Sequence, residues 1–238
     1  MSFALIKNLF HRAPLHPLLE AQRRLSAGID HERPLPELDF VVLDAEMTGL
    51  DPRRDEIVSI GAVRIRNLRI RPADSFYTLV QPERNVSGDS TLIHRLTPAT
   101  LDPAPALAEV LPQLLEFIGP AVLVGHHLSL DVGFLDAATR RLLGGRLEAP
   151  GIDTLRLAQI YEDRQRNRHA DSLEYDFISF TLADLSRRYG LPSFPEHNAW
   201  SDAFQTAYLF LYLVKKLGGN TPLTLKGLWR ASRVWWRR

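Results

Sequence analysis

The chain has 238 residues, 45% of them hydrophobic and 24% charged, with no cysteine and a net formal charge of +1. A chain of this size and balance buries a full core without covalent staples, which excludes intrinsic disorder, collagen and disulfide scaffolds. The lack of cysteine excludes thiolate zinc sites, iron–sulfur clusters and thiol catalysis, so any metal must be held by oxygen or nitrogen.

No apolar run reaches the roughly 18 residues of a membrane span. The opening MSFALIKNLFHR does not have the layout of a secretory leader, because Lys7 and Arg12 interrupt its short apolar stretch. A soluble, cytoplasmic protein with no membrane partner is expected. Charge is uneven along the chain. Asp202 is the last acid, and seven cations follow it, from Lys215 to Arg238. The first 202 residues carry 22 cations against 28 anions. A basic tail on an acidic body suggests an anionic partner for the tail and clustered carboxylates in the body.

Residues 1–38 read as a helical extension broken by Pro14, Pro17, Pro34 and Pro36, with Phe3, Ile6 and Phe10 at helical spacing and a second helix from Pro17 to Ala27. The apolar run Phe40-Val41-Val42-Leu43 predicts a buried central strand. Strands are predicted over 57–65, 75–80, 121–124 and 151–155. Helices are predicted over 103–118, 128–143, 181–189 and 202–217, most of them closed by glycine. Residues 162–180 read as an insertion. Three strands followed by alternating helix and strand predict an α/β fold with a mixed sheet.

Three segments carry chemistry. In Asp44-Ala45-Glu46 the two acids lie two apart at the end of a buried strand, so both carboxylates share one face. Asp131 stands near the start of a helix within GHHLSLDVGFL, where an acid also suits the helix dipole. His197 and Asp202 lie five apart in HNAWSDAFQTA, the acid in the first turn of a helix and the histidine in the loop before it. Each alone also reads as ordinary surface. Together, four carboxylates and a histidine at element ends form a hard oxygen-rich ligand set suited to Mg²⁺ or Mn²⁺. Such a set can hold two ions about 3.5–4 Å apart. A histidine with an ordinary pKa near 6.5 can take a proton from an activated water.

The constellation Asp44, Glu46, Asp131, His197, Asp202 resembles the histidine branch of the DEDD exonucleases (DEDDh), most closely the proofreading epsilon subunits of bacterial DNA polymerase III and their relatives. The likeness runs over about residues 38–217 and includes Ile93-His94, Leu96-Thr97, Asp153-Thr154-Leu155 and Leu182 to Leu191. The tyrosine branch places its tyrosine at position 198, which is Asn here. The resemblance implies a ribonuclease H-like fold, a central mixed sheet flanked by helices, with an exonuclease domain at 39–217 and a basic Trp/Arg-rich tail at 218–238. It implies that Asp44, Glu46, Asp131 and Asp202 bind two divalent ions and that His197 is the general base. It further implies that Met47, Thr48, Gly49 and Leu50 touch the 3′-terminal nucleotide, with His94, His126 and Phe134 as further contacts. The reaction implied is hydrolysis of single-stranded nucleic acid from the 3′ end, DNA before RNA, releasing nucleoside 5′-monophosphates in proofreading or repair.

Met47, where proofreading relatives have Thr, looks more like the oligoribonuclease family and keeps a 3′–5′ exoribonuclease reading open. His127 and Leu130 also depart from the pattern without touching the ligands. Trp229, Trp235 and Trp236 among Arg230, Arg233, Arg237 and Arg238 suit stacking on bases, docking to a DNA polymerase or other protein, or folding back on the body. A polymerase-docking, nucleic-acid-binding module with a relict site is the non-enzyme alternative.

Overall fold

The computed structural model describes residues 14–84, 96–168, 178–195, 197–218 and 223–232. Helix α1 (Pro17–Ala27) is followed by a short 3₁₀ turn, then strands β1 (Phe40–Met47), β2 (Ile57–Arg66) and β3 (Arg69–Leu79). Next come α2 (Pro98–Leu101), α3 (Leu107–Ile118), β4 (Val122–Gly125), α4 (Ser129–Leu143) and β5 (Gly151–Asp153). The chain continues through α5 (Thr154–Arg168), α6 (Leu182–Tyr189), α7 (Ala199–Gly218) and α8 (Leu225–Ser232).

The five strands form one mixed sheet in the order β3-β2-β1-β4-β5. The first three pair antiparallel, while β4 and β5 run parallel to β1. The expected central mixed sheet flanked by helices is what the chain adopts.

Side chains alternate across β1, and each face has its own core. Val41, Leu43 and Ala45 pack with α1, α3 and α4; Phe40 and Val42 pack with α5, α6, α7 and α8. The run FVVL is therefore apolar throughout because both faces are covered. The same alternation sends Asp44 and Glu46 toward the α7 face.

The flanking segments belong to these cores. Leu19 of α1 sits in the first core, and Leu35, Leu38, Leu225 and Leu228 sit in the second. Residues 31–35 are stitched to the segment entering α8: the Leu35 N–H donates to the Leu223 carbonyl at 2.9 Å and the Lys226 N–H to the His31 carbonyl at 2.8 Å. The Trp229 indole donates to the Gly151 carbonyl at 3.0 Å and packs edge-on against His31. So Trp229, the first aromatic of the tail, is seated on β5, while Trp235 and Trp236 lie outside the described residues.

Three expectations need correction. The third strand begins at Arg69 rather than Ser75, because edge strands tolerate charge. The fifth strand stops at Asp153, and α5 starts directly at Thr154. Residues 162–168, read as the start of an insertion, are the end of that helix, whose Leu157, Ala158 and Tyr161 are buried. The helix expected around Phe3 to Phe10 and residues 169–177 of the insertion lie outside the described residues, while 178–180 lead toward α6. Among the described residues no helix is long and apolar enough to cross a membrane.

Candidate active site

The site forms where β1 and β4 end and where α4 and α7 begin. Carboxylate oxygens of Asp44, Glu46 and Asp202 all lie within 4.8 Å of one another. Three elements produce this. The pleat places Asp44 and Glu46 on one face, and the register sets Asp44 opposite Gly61 and Glu46 opposite Ser59 of β2. Helix α7 crosses that face with Asp202 in its first turn.

The close crossing depends on Gly61. A Cβ there would meet the Ala199 carbonyl carbon and oxygen at 2.2 Å and the Trp200 nitrogen at 2.4 Å. No side chain fits between β2 and the first turn of α7. The turn itself is fixed by its cap: Asn198 Oδ1 accepts the Ser201 N–H at 3.1 Å, and Asp202 Oδ2 accepts the Asn198 N–H at 3.2 Å.

Asp131 reaches the cluster from the other face. Ladder pairing with β4 ends at Val42–Val124. Three residues beyond Val42, the Ala45 N–H donates to Asp131 Oδ1 at 3.0 Å. Asp131 is buried, and burial, with Asp153 and Glu46 nearby, pushes its carboxyl up to about 8. Glu46 is pushed up to about 7 by burial and the Asp202 charge, with His197 opposing. Asp44 is held well above the ordinary range by burial and then by Asp131, Asp202 and Glu46. Four acids brought this close repel one another, and a multivalent cation relieves both the repulsion and the lost hydration. All-oxygen donors of this kind fit Mg²⁺ or Mn²⁺.

His197 lies in the loop before α7, near enough to Glu46 to oppose the rise of its pKa. Its backbone has φ +60°, in the left-handed region. Thr48 is engaged inward: its N–H donates to the Glu56 carbonyl at 2.9 Å, and its hydroxyl accepts the Glu56 N–H at 3.0 Å. Gly49 turns against the Asp55 carboxylate, Met47 is half-buried against the first core, and Leu50 stands 77% exposed at the rim.

His126 has both ring nitrogens occupied, Nε2 with the Phe180 carbonyl and Nδ1 with the Thr154 hydroxyl, each at 2.9 Å. The Phe180 carbonyl can only accept, so Nε2–H is the donor there, and burial holds the ring's pKa below the ordinary value. The ring clamps β4 and α5 to the segment entering α6. Phe134 is buried in the first core. His94 lies outside the described residues.

Gly61 escaped sequence reasoning although it had a signal, since an interior strand glycine marks close backbone approach. Asp153, part of the Asp153-Thr154-Leu155 feature of the sequence, accepts the N–H groups of His127 and Leu155, each at 3.0 Å, and fixes the turn after β4.

The exonuclease family model described as RNase_T matches residues 41–210, and the chain belongs to this family. It is 38% identical to DNA polymerase III PolC-type of Thermotoga maritima over 182 residues, covering 75% of this chain and 12% of that protein. It is 37% identical to a DNA polymerase III subunit epsilon-like protein of Rhodobacter capsulatus over 187 residues, covering 78% of this chain and 25% of that protein. The chain thus spans a quarter or less of the length of these relatives. Its fold is similar to that of exonuclease X in complex with 5′ overhanging duplex DNA (TM-score 0.59, 24% identity, 81% of this chain and 99% of that one). It is also similar to E. coli exonuclease I in complex with a dT13 oligonucleotide (TM-score 0.63, 15% identity, 75% and 41%).

Proposed function

We propose that this chain is a divalent-metal-dependent 3′–5′ exonuclease that removes nucleoside 5′-monophosphates from DNA ends. The observation that carries the reading is the convergence of Asp44, Glu46 and Asp202 oxygens within 4.8 Å, with buried Asp131 behind them. Such a cluster is costly to build without a cation to neutralise it.

Asp44, Glu46, Asp202 and Asp131 would hold two ions. When bound, the ions supply a nucleophile from water at neutral pH and neutralise charge on the phosphate oxygens. His197, in a loop beside Glu46, takes the proton from the attacking water. Met47 to Leu50 form the rim that meets the terminal nucleotide, Leu50 offering an exposed apolar side chain to a base or sugar. The turn is rigid because Thr48 and Asp55 bind it from within, so the terminal residue is oriented rather than merely held. DNA as substrate is supported by relatives named as DNA polymerase III proteins and by fold neighbours bound to DNA. A polymerase or another replication protein is the partner these names suggest. Cleavage of RNA is the second reading, favoured by Met47 at the rim.

The test uses 3′- and 5′-labelled single-stranded DNA and RNA of one sequence, with Mn²⁺, Mg²⁺ or chelator, beside Asp44→Ala. A metal-dependent ladder shortening from the 3′ end, stronger on DNA and absent in the variant, is expected. Preferred shortening of RNA would move the assignment to the second reading. Cleavage that persists in chelator or in Asp44→Ala would overturn both.

A further inference from the structure

We infer that Gln205 is a positioning residue for His197: from inside α7 its side-chain carbonyl holds the backbone of the loop that carries the histidine. The inference rests on the reading of His197 as the base.

The described residues of the loop are 190–195, starting at Gly190, which caps α6 with φ +63°, and 197–198, ending at Asn198, which caps α7. Its first anchor is the Leu191 N–H on the Ser186 carbonyl at 2.9 Å, and its last is the Asn198 N–H on Asp202 at 3.2 Å. Between them the Phe194 N–H donates to Gln205 Oε1 at 3.3 Å. The Phe194 ring reinforces this tether. It stacks on Tyr208 with centroids 6.0 Å apart and planes at 25°, and meets Phe204 at 6.3 Å. The loop is therefore gripped on α7 three residues before His197.

Two features make the grip matter. Gln205 is 2% exposed, and a buried amide inside an amphipathic helix is costly unless it binds something an apolar residue could not. What it binds is a loop N–H. His197 holds φ +60°, a conformation that side-chain-bearing residues keep only when their surroundings impose it. Gln205 also lies one turn beyond Asp202 on the same helix. The histidine loop and the ligand Asp202 are thus referred to one rigid element, which keeps the base in register with the carboxylates.

The test compares Gln205→Met, which conserves volume but has no acceptor, with Gln205→Glu, which keeps one. Each is assayed alone and in a His197→Ala background, beside thermal melts and calorimetric titration of Mn²⁺. Gln205→Met is expected to lower kcat about tenfold or more, because small misplacements of a reacting group are costly. KM and Mn²⁺ affinity should stay within about twofold, and Gln205→Glu should recover most of kcat. With His197 already removed, Gln205→Met should change residual turnover by less than about twofold. Wild-type kcat in Gln205→Met, or an equal loss in both backgrounds, would overturn the inference. If the methionine variant melts below the assay temperature, Gln205→Asn carries the same comparison, since it keeps polarity and shortens the reach. Wild-type turnover in His197→Ala alone would instead overturn the base reading; the two failures differ in which single variant stays active.

Discussion

Gly61 of β2 and Ala199 of α7 meet backbone to backbone, so closely that a Cβ on the glycine would lie 2.2 Å from the Ala199 carbonyl. Gly61 is also the register partner of Asp44. One missing side chain therefore sets how near α7 comes to β1, and so how near Asp202 comes to Asp44. Gly61→Ala is expected to push the first turn of α7 outward. The overpacking should cost about 1–3 kcal/mol of stability, and displacing Asp202 by about an ångström should lower kcat roughly a hundredfold. A chemical melt and a steady-state assay check the two effects.

Asp131 serves two masters: its carboxylate accepts the Ala45 N–H and adds charge to the cluster. Asp131→Asn keeps an acceptor of the same shape and removes the ionisable group. In chelator at neutral pH the variant should melt at a higher temperature than wild type, because the buried carboxyl must take up a proton on folding and the amide need not. Turnover should fall at least about a hundredfold. A melt in chelator beside an activity assay in Mn²⁺ separates the two consequences, and equal turnover would remove Asp131 from the ligand set.

The raised carboxyls predict a direction for metal-free stability. Glu46 at about 7 and Asp131 at about 8 hold protons in the folded state that the unfolded chain has already released. Their contribution is fully present below the ordinary carboxylate range and is lost as pH rises through the folded values. In chelator the melting temperature should therefore fall from about pH 4.5 to pH 8. Divalent metal should reverse the trend and stabilise most at the alkaline end, where no protons need be displaced. Melts at several pH values with and without Mn²⁺ check it; a metal-free melting temperature that rises over this window would contradict the burial of these acids.

Glu162 of α5 is buried and receives the Tyr189 hydroxyl at 2.7 Å and Arg188 Nε at 3.2 Å, both from α6. Burial and then the neighbouring Glu162 carboxylate hold the Tyr189 phenol far above its ordinary pKa. Glu162→Ala leaves both donors unpaired and should cost about 1–3 kcal/mol, most of it from Tyr189 because Arg188 is partly screened by water. Mn²⁺ affinity should be unchanged, since the pair lies away from the carboxylate cluster. Denaturant melts and calorimetric titration decide the point.

The central strands were legible because burial on both faces demands unbroken apolar runs, as in FVVL and AVLV. The acids of the candidate site were legible because acids two apart on a strand must share a face, and acids in the first turns of helices stand at sheet ends. Helix α5 was missed because its apolar residues, Leu155, Leu157, Ala158, Ile160 and Tyr161, are confined to its first half, the remainder being polar. The first half of β3 was missed because RIRPAD lies on the sheet edge, where water accepts charge.

The sequence by itself determined the layered architecture, through local periodicity, and the family, through the resemblance its motifs carry; it nominated Asp44, Glu46, Asp131, His197 and Asp202 as candidate site residues. Tertiary structure alone decided how those residues meet. Gly61 fixes the approach of α7, Asp131 completes β1 through the Ala45 N–H, Gln205 grips the histidine loop, and α8 closes over β5 with Trp229. Each of these links residues at least 11 positions apart in the chain. Such contacts exist only once chain entropy has been overcome and two surfaces have met, so no local pattern records them.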